Sequence, residues 1–190
     1  MSERSAKSKA FLQKYCSKAV PKGGKRDLEE DLEERGLEVR AKPAGYTEVA
    51  MGTAIGHKAS EAGLWSGGFG TCPGIIVYGT PGTTGGVTRF LFHMSLQSGK
   101  TIDQFVTEVR NSRMTGMNCI LYTVDTRSTN SENSDAYMKE MSDSAERDDF
   151  GPIVTKLTAL CGAGKVGRRY HKYSANGEMS IGTNNAFTAA

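Results

Sequence analysis

Gly67-Gly68-Phe69-Gly70-Thr71-Cys72-Pro73-Gly74-Ile75-Ile76-Val77-Tyr78-Gly79 leads through a Gly/Thr-rich break into Val87-Thr88-Arg89-Phe90-Leu91-Phe92-His93-Met94. The two apolar runs, Ile75 to Tyr78 and Val87 to Met94, read as neighbouring β-strands of one sheet. If they pair as a hairpin, the start of the first faces the end of the second, so Cys72 comes level with His93. Strand alternation puts His93 on the face of Arg89 and Leu91, opposite Phe90 and Phe92. A thiol on a glycine-dense turn beside an imidazole is the outline of a nucleophile and its base.

The surrounding chain sets limits on what such a couple can belong to. With 190 residues it is long enough for one domain with a buried core, and we assign residues 1–190 to a single unit in which 1–26, a helix and loop, is peripheral. A net charge of +3 with acidic and basic residues interleaved argues against nucleic acid as partner. No apolar run approaches a membrane span, and the N-terminus carries no signal-peptide core. The protein is therefore expected in the cytoplasm, or exported without a cleaved signal. Cysteines at 16, 72, 119 and 161 lack Cys-x-x-Cys spacing and the density of a disulfide scaffold, and only three histidines are present, so a structural zinc site is not expected; no cofactor is expected either.

Outward from the central stretch, helical spacing of Phe11, Leu12, Tyr15, Cys16, Ala19 and Val20 predicts an amphipathic helix over 5–20, ended by Pro21. A second helix is expected over Asp27–Arg35, then strands at Leu37–Ala41 and Tyr46–Ala50, and the Gly-rich stretch 52–63 is given no element. Thr101–Arg110 has helix periodicity, Cys119–Val124 is an apolar strand, and Asp135–Arg147 and Pro152–Leu160 read as helices, the last with Pro in its first turn. Cys119 in that strand is read as a small buried hydrophobe. Asn176-Gly177 between Arg169–Ser174 and Glu178–Gly182 signals a hairpin. Strands and helices in irregular order indicate an α+β domain.

Two nucleotide motifs are present only as strings. Ser98-Gly99-Lys100-Thr101 lacks the first glycine of a phosphate loop, because residue 94 is Met. Gly162-x-Gly164-x-x-Gly167 follows a helix where a dinucleotide fingerprint follows a strand. Cys72 carries more chemistry. Backbone N–H groups of Gly70, Thr71 and Cys72 in a turn opened by glycines can point at a thiolate or an oxyanion. His57 and His171 have no such company; His171 sits in a basic strand read as solvated.

Gly70-Thr71-Cys72 before a β-run, with His93 closing the next, resembles the Cys-His protein glutamine deamidases. These include the chemoreceptor deamidases with their Gly-Ser-Cys motif, the catalytic domain of cytotoxic necrotizing factor and the Burkholderia lethal factor. The resemblance spans about residues 65–112. In two of these families a Thr hydroxyl six residues before the Cys holds the imidazole; Ser66 occupies that position here. The Cys-to-His spacing is longer than in the family because of the Gly79–Gly86 insertion. The resemblance implies a β-sandwich of mixed sheets flanked by helices and no metal. Its site would use Cys72, His93 and Ser66, and its partner would be a target protein carrying a reactive glutamine, with the chain acting as a monomeric bacterial effector or toxin in a host cytosol. A cysteine protease, a transglutaminase-like enzyme and a non-enzymatic interaction domain are the alternatives that these residues leave open.

Overall fold

A computed structural model describes residues 42–69, 72–95, 98–125, 146–171 and 177–189. The helices expected over 5–20 and 27–35, the strand at 37–41, nearly all of the helix at 135–147 and two oxyanion candidates, Gly70 and Thr71, lie outside them. Among the described residues, two mixed sheets and two α-helices form an α+β sandwich. One sheet has the order β1-β3-β8-β9, from Tyr46–Glu48 (β1), Gly63–Phe69 (β3), Gly177–Ile181 (β8) and Phe187–Ala189 (β9). The other has the order β2-β5-β4-β6-β7, from Thr53–Lys58 (β2), Val87–His93 (β5), Gly74–Thr80 (β4), Thr115–Val124 (β6) and Val166–His171 (β7). Ile102–Asn111 (α1) and Gly151–Cys161 (α2) cover the outer face of the five-stranded sheet.

The five-stranded sheet is therefore buried on both faces, which is why its central strands are continuous apolar runs instead of alternating ones. Ile75, Val77, Phe90, Phe92 and Leu121 pack against Phe105, Val109, Ile153 and Leu157 of the helices. Ile76, Leu91, Ile120 and Tyr122 point the other way, onto Leu64, Phe69, Met179 and Ile181 of the four-stranded sheet. The expected hairpin is present: β4 and β5 are antiparallel, with Gly74 opposite His93 and Val77 opposite Phe90.

Several expectations are corrected. Residues 53–58 form β2 despite their glycine; a Cβ at Gly56 would lie 2.3 Å from the Phe90 ring, so the missing side chain is what lets the strand pair under that ring. The glycine-dense segment at 67–69 ends a strand, not a turn. Asn176-Gly177 does not join a hairpin, because β7 pairs parallel to β6 in one sheet and β8 antiparallel to β3 in the other. The hairpin lies one strand later, between β8 and β9, where Asn185 adopts φ 61° and the Gly182 N–H donates to the Ala186 carbonyl at 2.8 Å. Cys119 is not a free hydrophobe: it forms a disulfide with Cys161 at the end of α2, with Cα atoms 6.2 Å apart. Its partner is 42 residues away on a helix whose docking no local pattern reveals.

The phosphate-loop string is taken up by the fold. The Lys100 N–H donates to the Gly52 carbonyl at 2.8 Å, and Lys100 Nζ pairs with Glu108. Thr101 caps α1, its hydroxyl accepting from the Gln104 N–H at 3.2 Å while Gln104 Oε1 accepts from the Thr101 N–H at 2.8 Å. Gly99, at φ 90°, lies so close to the Gly52 turn that a Cβ would come 2.5 Å from its carbonyl oxygen.

Candidate functional site

β3, β4 and β5 reach the same end of the sandwich, and the site is built from what each delivers there. β5 contributes His93, on the inner face with Leu91 and Arg89 as alternation requires. Its backbone is fixed from both sides: the Gly52 N–H donates to the His93 carbonyl at 2.7 Å, and the Met94 N–H donates to the Pro73 carbonyl at 3.0 Å. β3 contributes Ser66 across the sandwich. Its oxygen is 2.9 Å from His93 Nδ1 and 2.6 Å from the Val49 carbonyl.

This arrangement determines the tautomer. A carbonyl only accepts, so the single hydroxyl hydrogen of Ser66 goes to Val49, and Ser66 Oγ must accept from the imidazole. Nδ1 therefore carries the proton and Nε2 carries the lone pair. Val49 is itself held in place, its N–H donating to the Trp65 carbonyl at 2.8 Å beside Ser66. His93 is 2% exposed, and Nε2 has no hydrogen-bond partner. Burial pushes the imidazole pKa down to about 3, so the ring is neutral at physiological pH.

Cys72 enters from the β3–β4 crossover, two residues before the Gly74 that faces His93. It is fully buried, and its sulfur lies 3.6 Å from Met51 Sδ. Met51 immediately precedes the Gly52 that binds the His93 carbonyl, so one turn touches both the Cys72 sulfur and the His93 backbone. In oxidation state the structure departs from the sequence reading: Cys72 is disulfide-bonded, to a partner not among the described residues. A nucleophilic thiol at this position exists only after that bond is reduced.

Phe69, Val49 and Met51 are site residues that sequence reasoning missed. Phe69 stacks on the His93 ring, with centroids 3.9 Å apart and planes 26° apart. His57 stands apart, its Nδ1 2.8 Å from the Ala62 carbonyl. His171 is 5% exposed and lies 4.8 Å from the Tyr122 ring, so the end of β7 is buried where the sequence suggested a solvated strand. A cavity of about 330 Å³ on the helical side is lined by Met94, Lys100, Thr101, Asp148, Asp149 and Ile153, but by none of Ser66, Cys72 and His93. Among the described residues no group of three His, Cys, Asp or Glu side chains is placed to hold a metal, and no helix is long and apolar enough to cross a membrane.

Comparison of the chain with protein-family models and with curated proteins finds no match to either.

Proposed function

We propose that the reduced protein is a thiol hydrolase that converts a glutamine side chain of another protein to glutamate. The observation that carries this reading is the Val49–Ser66–His93 chain of hydrogen bonds, which fixes the imidazole tautomer and leaves Nε2 without a hydrogen-bond partner. A hydroxyl six residues before the cysteine is also where the deamidase resemblance requires one.

Reduction by a thiol releases the Cys72 thiol and oxidises the reductant. His93 Nε2 then takes the thiol proton, and the sulfur attacks the carboxamide carbon of the substrate. His93 returns that proton to the departing nitrogen, ammonia leaves, and a thioester remains. Water, deprotonated by the same Nε2, opens the thioester to a carboxylate and restores the thiol. The oxyanion falls to backbone N–H groups of Gly70 to Cys72. The Cys119–Cys161 disulfide suits a protein that spends time in an oxidising compartment, and a reducing cytosol would supply the thiol that frees Cys72. Both fit an exported effector.

The test incubates the reduced protein with an N-acyl-glutaminyl-glycine peptide and with host-cell extract, reading ammonia release and Gln-to-Glu conversion by peptide mass mapping. Conversion that disappears in Cys72→Ser and in His93→Ala is the expected result. Absence of conversion by the reduced wild-type chain, or equal conversion by Cys72→Ser, would falsify the reading. A primary amine that enters the product in place of water would redirect it to transglutamination.

A further inference from the structure

Regular alternation along β3 sets Leu64 and Ser66 on the inner face and would place Gly68 there next, leaving Phe69 outside. The register shows why it does not: Gly67 faces Glu178 and Phe69 faces Gly177, so Gly68 is an extra residue, a β-bulge with φ 76°. That φ is open to glycine and strained for other residues. The bulge inverts the parity of the strand, and Ser66 and Phe69 both face inward. They meet one imidazole from two directions: Ser66 bonds its edge, and Phe69 covers its face.

Phe69 in turn has a place made for it. It is fully buried and lies over Gly74, where a Cβ would come 2.7 Å from the phenyl ring, and Gly74 is the β4 residue facing His93. The Tyr122 ring meets it edge-on at 5.4 Å. A hydrogen bond at Nδ1 selects the tautomer but leaves the ring free to tilt about that bond; a stacked phenyl removes the tilt. A phenyl face also favours the imidazolium that forms when Nε2 takes a proton. From the bulge, the missing Cβ and the stack, we infer that Phe69 is a positioning residue for His93, aimed by Gly68 and accommodated by Gly74.

The kinetic arm of this inference rests on the thiol-hydrolase reading; the spectroscopic arm does not. In the reduced protein, ¹⁵N NMR of His93 should show one protonated and one bare ring nitrogen in wild type. Phe69→Leu should leave those shifts in place but let the ring tilt, read as a fall in the order parameter of the His93 ring C–H bonds, and Phe69→Tyr, which keeps the ring face, should restore it. In turnover, Phe69→Leu should lower kcat roughly tenfold with KM within about twofold, as a positioning loss does, and Phe69→Tyr should recover most of it. If Phe69→Leu does not fold, Phe69→Met, which keeps volume without a ring face, carries the same expectations. A wild-type order parameter for the His93 ring in a folded Leu or Met variant would overturn the inference, whatever the change in melting temperature. A wild-type protein that deamidates nothing yet shows the lowered ring order on substitution would leave the positioning role standing and remove the deamidase reading alone.

Discussion

Ser66 is a buried hydroxyl with two partners, and each loses something different when it is removed. In Ser66→Ala the Nδ1–H and the Val49 carbonyl both lose their partner, a loss of about 1–3 kcal/mol in stability for a buried unsatisfied polar group. Turnover should fall by about one to two orders of magnitude, since the imidazole keeps its place but loses its fixed tautomer. Ser66→Thr retains the hydroxyl and should retain activity; single-turnover rates of the two variants decide, and wild-type rates in Ser66→Ala would pass the orienting role to Phe69 and the backbone. The depressed pKa of His93 has a separate consequence for stability. Folded, the ring stays neutral down to about 3, whereas in the unfolded chain it protonates near its ordinary 6.5. Between those values the unfolded state binds more protons, so the stability present above pH 6.5 is lost progressively as pH falls toward 3. Urea midpoints at pH 7.5 and pH 4.5 should differ more for wild type than for His93→Gln; an equal difference would mean that burial of His93 does not govern the acid limb.

At the scale of elements, what could be read in the sequence divides along one physical line. β4, β5, β6, α1 and α2 were legible because burial on both faces makes strands continuously apolar, and because capping residues and a proline mark helix starts. Hairpin register pairs Gly74 with His93 and so brings the strand that Cys72 leads into to the histidine's end of β5. β2 and β3 are not legible for the opposite reason: Gly56 and Gly68 look like breakers in a one-dimensional reading. One makes room for the Phe90 ring and the other forms a bulge, and both needs are set by residues distant in sequence. The division of β7 and β8 between two sheets was likewise hidden, because Asn-Gly reports local turn preference and not which sheet the next strand joins. Phe69 had no local signal, since its inward direction depends on the bulge before it.

For the whole molecule, the decisive variable is oxidation state. Ser66, Cys72 and His93 are each at most 2% exposed, and the sulfur proposed as nucleophile is held in a disulfide, so the oxidised protein offers a substrate neither a thiol nor access to one. A dithiol in excess reduces the Cys72 bond by two successive exchanges, leaving a free thiol and an oxidised, cyclised reagent. Deamidation should therefore be undetectable in the oxidised protein and rise with dithiothreitol in step with alkylation of Cys72, followed by peptide mapping. The second disulfide provides the control. Cys119–Cys161 closes a loop of 42 residues, and its loss should cost about 3–4 kcal/mol of stability by loop-closure entropy. A Cys119→Ala/Cys161→Ala variant should thus melt earlier, yet keep the same dependence of activity on dithiothreitol, because the bond at Cys72 is untouched. Activity in the oxidised wild-type protein equal to that of the reduced form would show that Cys72 is not the nucleophile. If the variant were active without reductant, control would instead lie with the bond between β6 and α2.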